Sequence, residues 1–181
     1  MLRRNSLATV LRGGQGVPYR EVLCDVCNHL HISYYKSAEV PEIEEALLLS
    51  FLENSLREIS PVALKQLANE LNIEPRATAA ATIAAIRDTF RAGGTNAYKL
   101  TVIIVNGFMQ KVFGRNLNAA ADETLHHTPR LFSGPVGWAI TSLMTGLNLA
   151  GPAYRVTIPA TILIAYLRRA QRAKRERLPG P

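Results

Sequence analysis

The chain has 181 residues, 48% apolar and 19% charged, with 21 Lys+Arg against 14 Asp+Glu and a formal net charge of +7. A chain of this length and apolarity can bury roughly 70% of its unfolded surface, which excludes wholesale disorder, and its composition fits neither a collagen nor a coiled coil. Its two cysteines, three residues apart, cannot staple a fold of this size and read as a reduced pair in a reducing compartment.

The excess charge is local. Residues 1–60 carry six basic and eight acidic groups, residues 61–100 five and three, and residues 101–181 ten and three. Arg168, Arg169, Arg172, Lys174, Arg175 and Arg177, opposed only by Glu176, place most of it at the C-terminal end. Three readings of that end stand side by side: a solvated helix terminus that complements the macrodipole, a patch for anionic lipid, and a patch for nucleic acid. Nucleic acid is the least favoured, because residues 168–181 hold no aromatic side chain to stack on a base.

In chain order, residues 1–16 form a basic segment (Arg3, Arg4, Arg12) followed by the Gly13-Gly14-Gln15-Gly16 joint. The apolar stretch there is too brief for a secretory signal, so the segment reads as a short basic helix and the protein as cytoplasmic. A helix from about Tyr19 to His31 places Leu23, Val26 and Leu30 on one face and Cys24, Cys27 and His31 on the neighbouring one. Pro41 opens a helix to about Arg57, acidic at its start through Glu42, Glu44 and Glu45 and apolar through Leu47, Leu48, Phe51 and Leu52. Ser60 caps the next helix, with Pro61 at its first position, Leu64, Leu67 and Leu71 as its stripe and its end at Asn72.

An Ala- and Thr-rich helix follows from about Pro75 to Ala92, with Ala79, Ile83, Ile86 and Phe90 on one face and Gly93-Gly94 as its stop. Tyr98 to Phe113 reads as a strongly apolar helix closed by Gly114, although the β-branched run Thr101 to Val105 also admits a strand. A short polar helix is expected around Asn118 to Leu125. Beyond it, the only charged side chain from Leu131 to Leu167 is Arg155. Gly151-Pro152 and Pro159 divide this run into a hairpin of two arms, residues 134–150 and 159–173. The apolar parts of the arms would span about 24 Å and about 14 Å, against a hydrocarbon core of about 30 Å, so the hairpin reads first as buried core and second as a membrane-entering element. Ser142, Gly146 and Ala150 form a small-residue stripe that, with Trp138, is assigned to hairpin packing.

Little of the sequence points to catalysis. Cys24, Cys27 and His31 are candidate metal ligands, but no second cysteine pair completes a zinc site. Glu123-x-x-His126 has the spacing of one half of a di-iron site and lacks the second half. There is no phosphate-binding loop, nucleophile elbow or His-Glu-x-x-His motif. Neither an enzyme nor a cofactor is expected.

Four blocks together resemble the uncharacterised YaaW-like family of bacterial proteins: GGQGVPYREVLCDVC from Gly13, SPVALKQLANELNI from Ser60, FRAGGTNAYKLTVIIVN from Phe90 and GPVGWAITSLMTGLNLAGPAYRVTIPATILIAYL from Gly134. Such proteins are sometimes classed beside ubiquinol–cytochrome c chaperones, so the resemblance implies a helical assembly factor working near a membrane and supplies no catalytic residue. Similar proteins carry a further N-terminal helical segment, and the match here starts close to Met1, so the chain is expected to lack it.

The expectation is therefore an all-α fold, a single domain of about seven helices around the hairpin, with residues 1–16 as a basic segment, 17–167 as the helical domain and 168–181 as a basic tail. The function expected is a non-enzymatic interaction or assembly protein, chaperone-like, with an unidentified protein partner. Arg155, Arg168, Arg169, Arg172 and Arg175 are assigned to partner contact or to a peripheral contact with an anionic inner-membrane surface. A membrane-inserting or pore-forming hairpin is the second reading, and a metal-dependent enzyme using Cys24, Cys27, His31, Glu123 and His126 is the third.

Overall fold

The computed structural model describes residues 16–114 and 154–177, and every regular element among them is an α-helix. There are six: α1 (Tyr19–His29), α2 (Val40–Glu58), α3 (Pro61–Glu70), α4 (Ala79–Ala92), α5 (Gly94–Phe113) and α6 (Tyr154–Arg177). The all-α fold is as the sequence indicates, with six helices among the described residues against about seven expected. The polar helix near residue 118 and the first hairpin arm, 134–150, lie outside the described residues.

Local chemistry sets most helix ends. A reciprocal capping box opens α2: the Glu39 side chain accepts from the Glu42 N–H, and the Glu42 carboxylate accepts from the Glu39 N–H at 2.9 Å. Ser60 caps α3 by accepting from the Ala63 N–H at 3.2 Å, and Thr78 caps α4 in the same way from Ala81. Because Thr78 supplies that cap, α4 starts at Ala79 rather than at Pro75.

Two helices stop on left-handed residues that are not glycine. His31 (φ 56°) follows α1 and Asn72 (φ 55°) follows α3. At each, the chain doubles back on the last helical carbonyls: the Ile32 N–H donates to the Cys27 carbonyl and that of Ile73 to the Ala68 carbonyl, both at 2.8 Å. Hence α1 ends at His29 and α3 at Glu70, two residues earlier than the apolar periodicity alone implies. The Asn96 side-chain amide adds a further donor, to the Leu71 carbonyl at 2.8 Å, and so ties the start of α5 to the end of α3.

Gly93 (φ 81°) and Gly94 (φ 71°) form the joint between α4 and α5 in backbone conformations that favour glycine. The joint is only these residues long, so α5 begins at Gly94 and not at Tyr98. From Ala97 to Phe108 every residue except Gly107 and the partly exposed Lys99 is a buried side chain, and this stretch is the centre of the core. The β-branched run at 101–105 is helical because neighbouring helices cover it on all sides, a tertiary gain that outweighs its strand propensity.

The last helix differs most from expectation. It starts at Tyr154 and continues through Pro159 to Arg177, so Pro159 does not open a helix, and no break separates the apolar arm from the basic end at residue 168. A proline inside a helix forfeits one backbone hydrogen bond and costs roughly 3 kcal/mol. Ile158, Ile162 and Ala165 are fully buried on either side of it, joined to one cluster with α1, α2, α4 and α5, and their burial offsets that cost. The opposite face is open: Val156 and Leu167 are 68% and 56% exposed.

The two faces of α6 are expected to respond differently to truncation. Ile162→Ala should destabilise the fold by about 2–4 kcal/mol and Leu167→Ala by no more than about 0.5 kcal/mol, as measured by urea unfolding.

Candidate functional site

The described residues concentrate their buried charge where α2 faces α6. Glu44 and Glu45 are adjacent on α2, and Arg168 and Arg169 are adjacent on α6. Neighbouring residues on a helix point about 100° apart, so in each pair one side chain is carried inward and the other stays nearer solvent. Glu44 is the inner carboxylate, 5% exposed, and Arg169 is the inner cation, its side chain 18% exposed. They pair crosswise: Glu44 Oε2 meets Arg168 Nε at 3.2 Å, and Glu45 Oε2 meets Arg169 Nη2 at 3.1 Å. Each buried charge thereby faces a partner that keeps contact with water, which limits the desolvation cost of the pair.

The remaining polar valences are filled from other helices. Tyr19 on α1 donates its hydroxyl to Glu44 Oε1 at 3.0 Å, and Arg169 Nη1 lies 3.4 Å from the Thr101 hydroxyl on α5. The Arg169 guanidinium also sits over the Phe90 ring, 4.1 Å from its centroid. Five helices thus converge on two ion pairs. Two ring contacts extend the seam along α6: His29 stacks on Tyr154 with centroids 3.6 Å apart, and Tyr98 lies parallel to Tyr166 at 6.2 Å with their hydroxyls 3.4 Å apart.

Burial dominates the acid–base behaviour of the cluster. It raises the Glu44 carboxyl above its ordinary range, although the Tyr19 hydroxyl and Arg168 act in the opposite direction. Burial and the Glu44 charge raise the Tyr19 phenol, and burial lowers the Arg169 guanidinium. Tyr19 is therefore a donor in this site and is not poised as a base.

The cysteines form a separate feature. Cys27 is fully buried and its thiol is pushed up to about 12 by burial and by Cys24, while Cys24 is half-buried. His31 is exposed in the left-handed turn beyond α1, so it serves as the helix stop and does not join the two thiols on one face. Among the described residues no group of three or more His, Cys, Asp or Glu is arranged to hold a metal ion.

Of the arginines singled out in the sequence, Arg168 and Arg169 are engaged by the α2 carboxylates, while Arg155, Arg172 and Arg175 are exposed. Trp138, Ser142, Gly146, Ala150, Glu123 and His126 lie outside the described residues. Sequence reasoning missed the site's acidic half, because Glu44 and Glu45 near a helix start were accounted for by the macrodipole. The signal was present: Glu44 sits between Ile43 and Leu47 on a stripe that must be buried, so it requires a partner.

Two outcomes are expected. The folded state disfavours the ionised Glu44 carboxylate, so this group's contribution to stability is greatest below its ordinary value of 4.5 and is lost as pH rises through its raised value. Glu44→Gln should remove that dependence, so urea unfolding between pH 4 and pH 7 should show the variant gaining on the parent as pH rises. A thiol reagent should titrate Cys24 alone in the native protein and both cysteines after unfolding in guanidinium, because Cys27 is neither accessible nor ionised.

No protein-family model matches the chain, and no solved structure matches it. Curated relatives do. A UPF0174 protein of Helicobacter pylori strain J99 is 41% identical over 170 residues, covering 91% of this chain and 65% of its own length. A second UPF0174 protein of the same strain is 36% identical over 176 residues, covering 94% of this chain and 84% of its own. The UPF0174 protein YaaW of Escherichia coli K12 is 30% identical over 168 residues, again 91% of this chain and 65% of the relative. The chain thus spans slightly less than two thirds of some relatives and most of another, and with identity sustained along nearly its whole length it belongs to the UPF0174 family of bacterial proteins, the YaaW-like family that its sequence blocks resemble.

Proposed function

We propose that this UPF0174 protein is a non-enzymatic helical interaction or assembly protein that meets an anionic surface through the outer side of α6. The observation that carries the reading is the division of the cations on this helix. From Tyr154 to Arg175 there are six basic side chains and no acidic one. Arg168 and Arg169 are engaged internally, whereas Arg155, Arg172, Lys174 and Arg175 are exposed. Arg172 also acts on the buried Glu44 carboxylate, so the interior accounts for only part of the positive charge, and Arg155, Lys174 and Arg175 form a field directed at solvent.

The polar chemistry of the interior supports a structural use. The buried carboxylate is held by a tyrosine and an arginine, and the buried thiol and phenol are kept protonated. These groups fasten helices together and leave the outer helix face as the contact surface. Anionic phospholipid at the inner membrane is the surface this reading favours, with a protein partner recruited there. No described helix is long and apolar enough to cross a membrane, so the contact proposed is peripheral.

The test is sedimentation with phosphatidylglycerol vesicles and with phosphatidylcholine vesicles at low and high salt. The expected result is binding to the anionic vesicles alone, weakened by salt, and reduced about tenfold or more by Arg155→Glu with Arg175→Glu, since each basic residue near an anionic surface contributes roughly 1 kcal/mol. Equal binding by the double variant would overturn the reading.

A further inference from the structure

We propose that the solvent face of α6 is an interfacial lipid-contact surface, in which Val156, Ala160 and Leu167 enter the outer acyl region of an anionic bilayer while the flanking basic side chains meet its headgroups. This rests on the peripheral reading above and adds a mode of contact to it, apolar insertion rather than electrostatic attraction alone.

The pattern is specific to this helix. Residues 156, 160 and 167 lie at intervals of four and seven and so fall on one line about 17 Å long. Val156 is 68% exposed, Leu167 is 56% exposed and Ala160 is exposed, whereas Leu163 between them is half-buried and packed against the core. Continued along the helix, the stripe reaches Gln171 and Lys174, both exposed. Among the described residues the other exposed large apolar side chains are Val17, Tyr35 and Val62, which fall singly in α3 or outside the helices. Isolated apolar residues on a surface need no explanation, whereas an aligned row does.

The opposite face of α6, through Ile158, Ile162, Ala165 and Arg169, is packed on the core, so the stripe points directly away from the protein. Arg155 flanks it on one side and Arg175 on the other, while Arg168 is held by Glu44. This arrangement lets an apolar strip sink while long cationic side chains reach back to phosphates at the same depth. Charge selects the occupant: with no acid from Tyr154 to Arg175, the rim complements an anionic lipid surface, and it would repel the same rim on a second copy of the chain. The helix lies along the surface, consistent with its being too polar to span a bilayer.

The experiment is flotation of the full chain with phosphatidylglycerol vesicles, comparing the parent with Val156→Asp/Leu167→Asp and with Arg155→Glu/Arg175→Glu, together with quenching of Leu167→Trp by lipids brominated along the acyl chain, measured against the parent. The expected result is about a tenfold or greater loss of binding in the aspartate variant, comparable to removing one buried leucine, and quenching of the new tryptophan. If the glutamate variant loses binding while the aspartate variant keeps it and the tryptophan is unquenched, insertion is overturned and the electrostatic contact stands. If the parent binds no anionic vesicle, both readings fall. Light scattering and thermal melts without lipid close the remaining route: a dimer dissociated by the aspartate variant, or a melting temperature lowered by it, would show that a second copy or another part of this chain covers the stripe, and would overturn the proposal.

Discussion

The position of the C-terminal helix depends on two ion pairs that neither helix could bury alone. An ionised carboxylate or guanidinium withdrawn from water without a partner costs several kcal/mol. Glu44 and Arg169 occupy inward positions because each finds an opposite charge whose own side chain extends to solvent, and because Tyr19, Thr101 and the Phe90 ring complete their surroundings. That requirement fixes the rotation of α6 about its axis. A turn of one residue would bring Ile158 and Ile162 out of the core and separate both pairs at once, so apolar and polar contacts specify the same register.

Fixing the rotation also decides what α6 shows to its surroundings. With Ile158, Ile162, Ala165 and Arg169 turned inward, the row from Val156 to Leu167 is left outside, bordered by cations. The interior ion pairs and the exposed amphipathic face are two consequences of one orientation. A cluster of titratable groups in a fold is often taken as a reactive centre, yet here the same burial that raises the Glu44 carboxyl also holds the Tyr19 phenol protonated, which suits a clasp between helices.

Membership of the UPF0174 family places this architecture in bacterial relatives whose length this chain spans in part or in most. The α2–α6 seam offers a concrete feature on which those relatives can be compared. Its members would share the clasp if they keep the two carboxylates and the two arginines at the corresponding positions.

Much of this fold is legible in the residues themselves. Ser60 with Pro61, the acidic opening around Pro41 and the Gly93-Gly94 stop locate three helix boundaries, since capping and backbone freedom are local effects that need no knowledge of the rest of the chain. The all-α class follows from the spacing of the apolar residues for the same reason. What local chemistry could not supply is whatever depends on partners distant in sequence. Pro159 signals a helix start in isolation, and only the burial of the isoleucines around it keeps α6 continuous. His31 carries no turn signature, and its left-handed conformation arises where the chain must reverse. Glu44 and Arg169 lie 125 residues apart, and no period or motif in the sequence joins them. Composition and capping therefore determined that the chain would be helical and where several helices would begin. The tertiary structure alone decided which charges are interior and which face of α6 is left outside, because burial and pairing are properties of surfaces that exist only once the helices have packed.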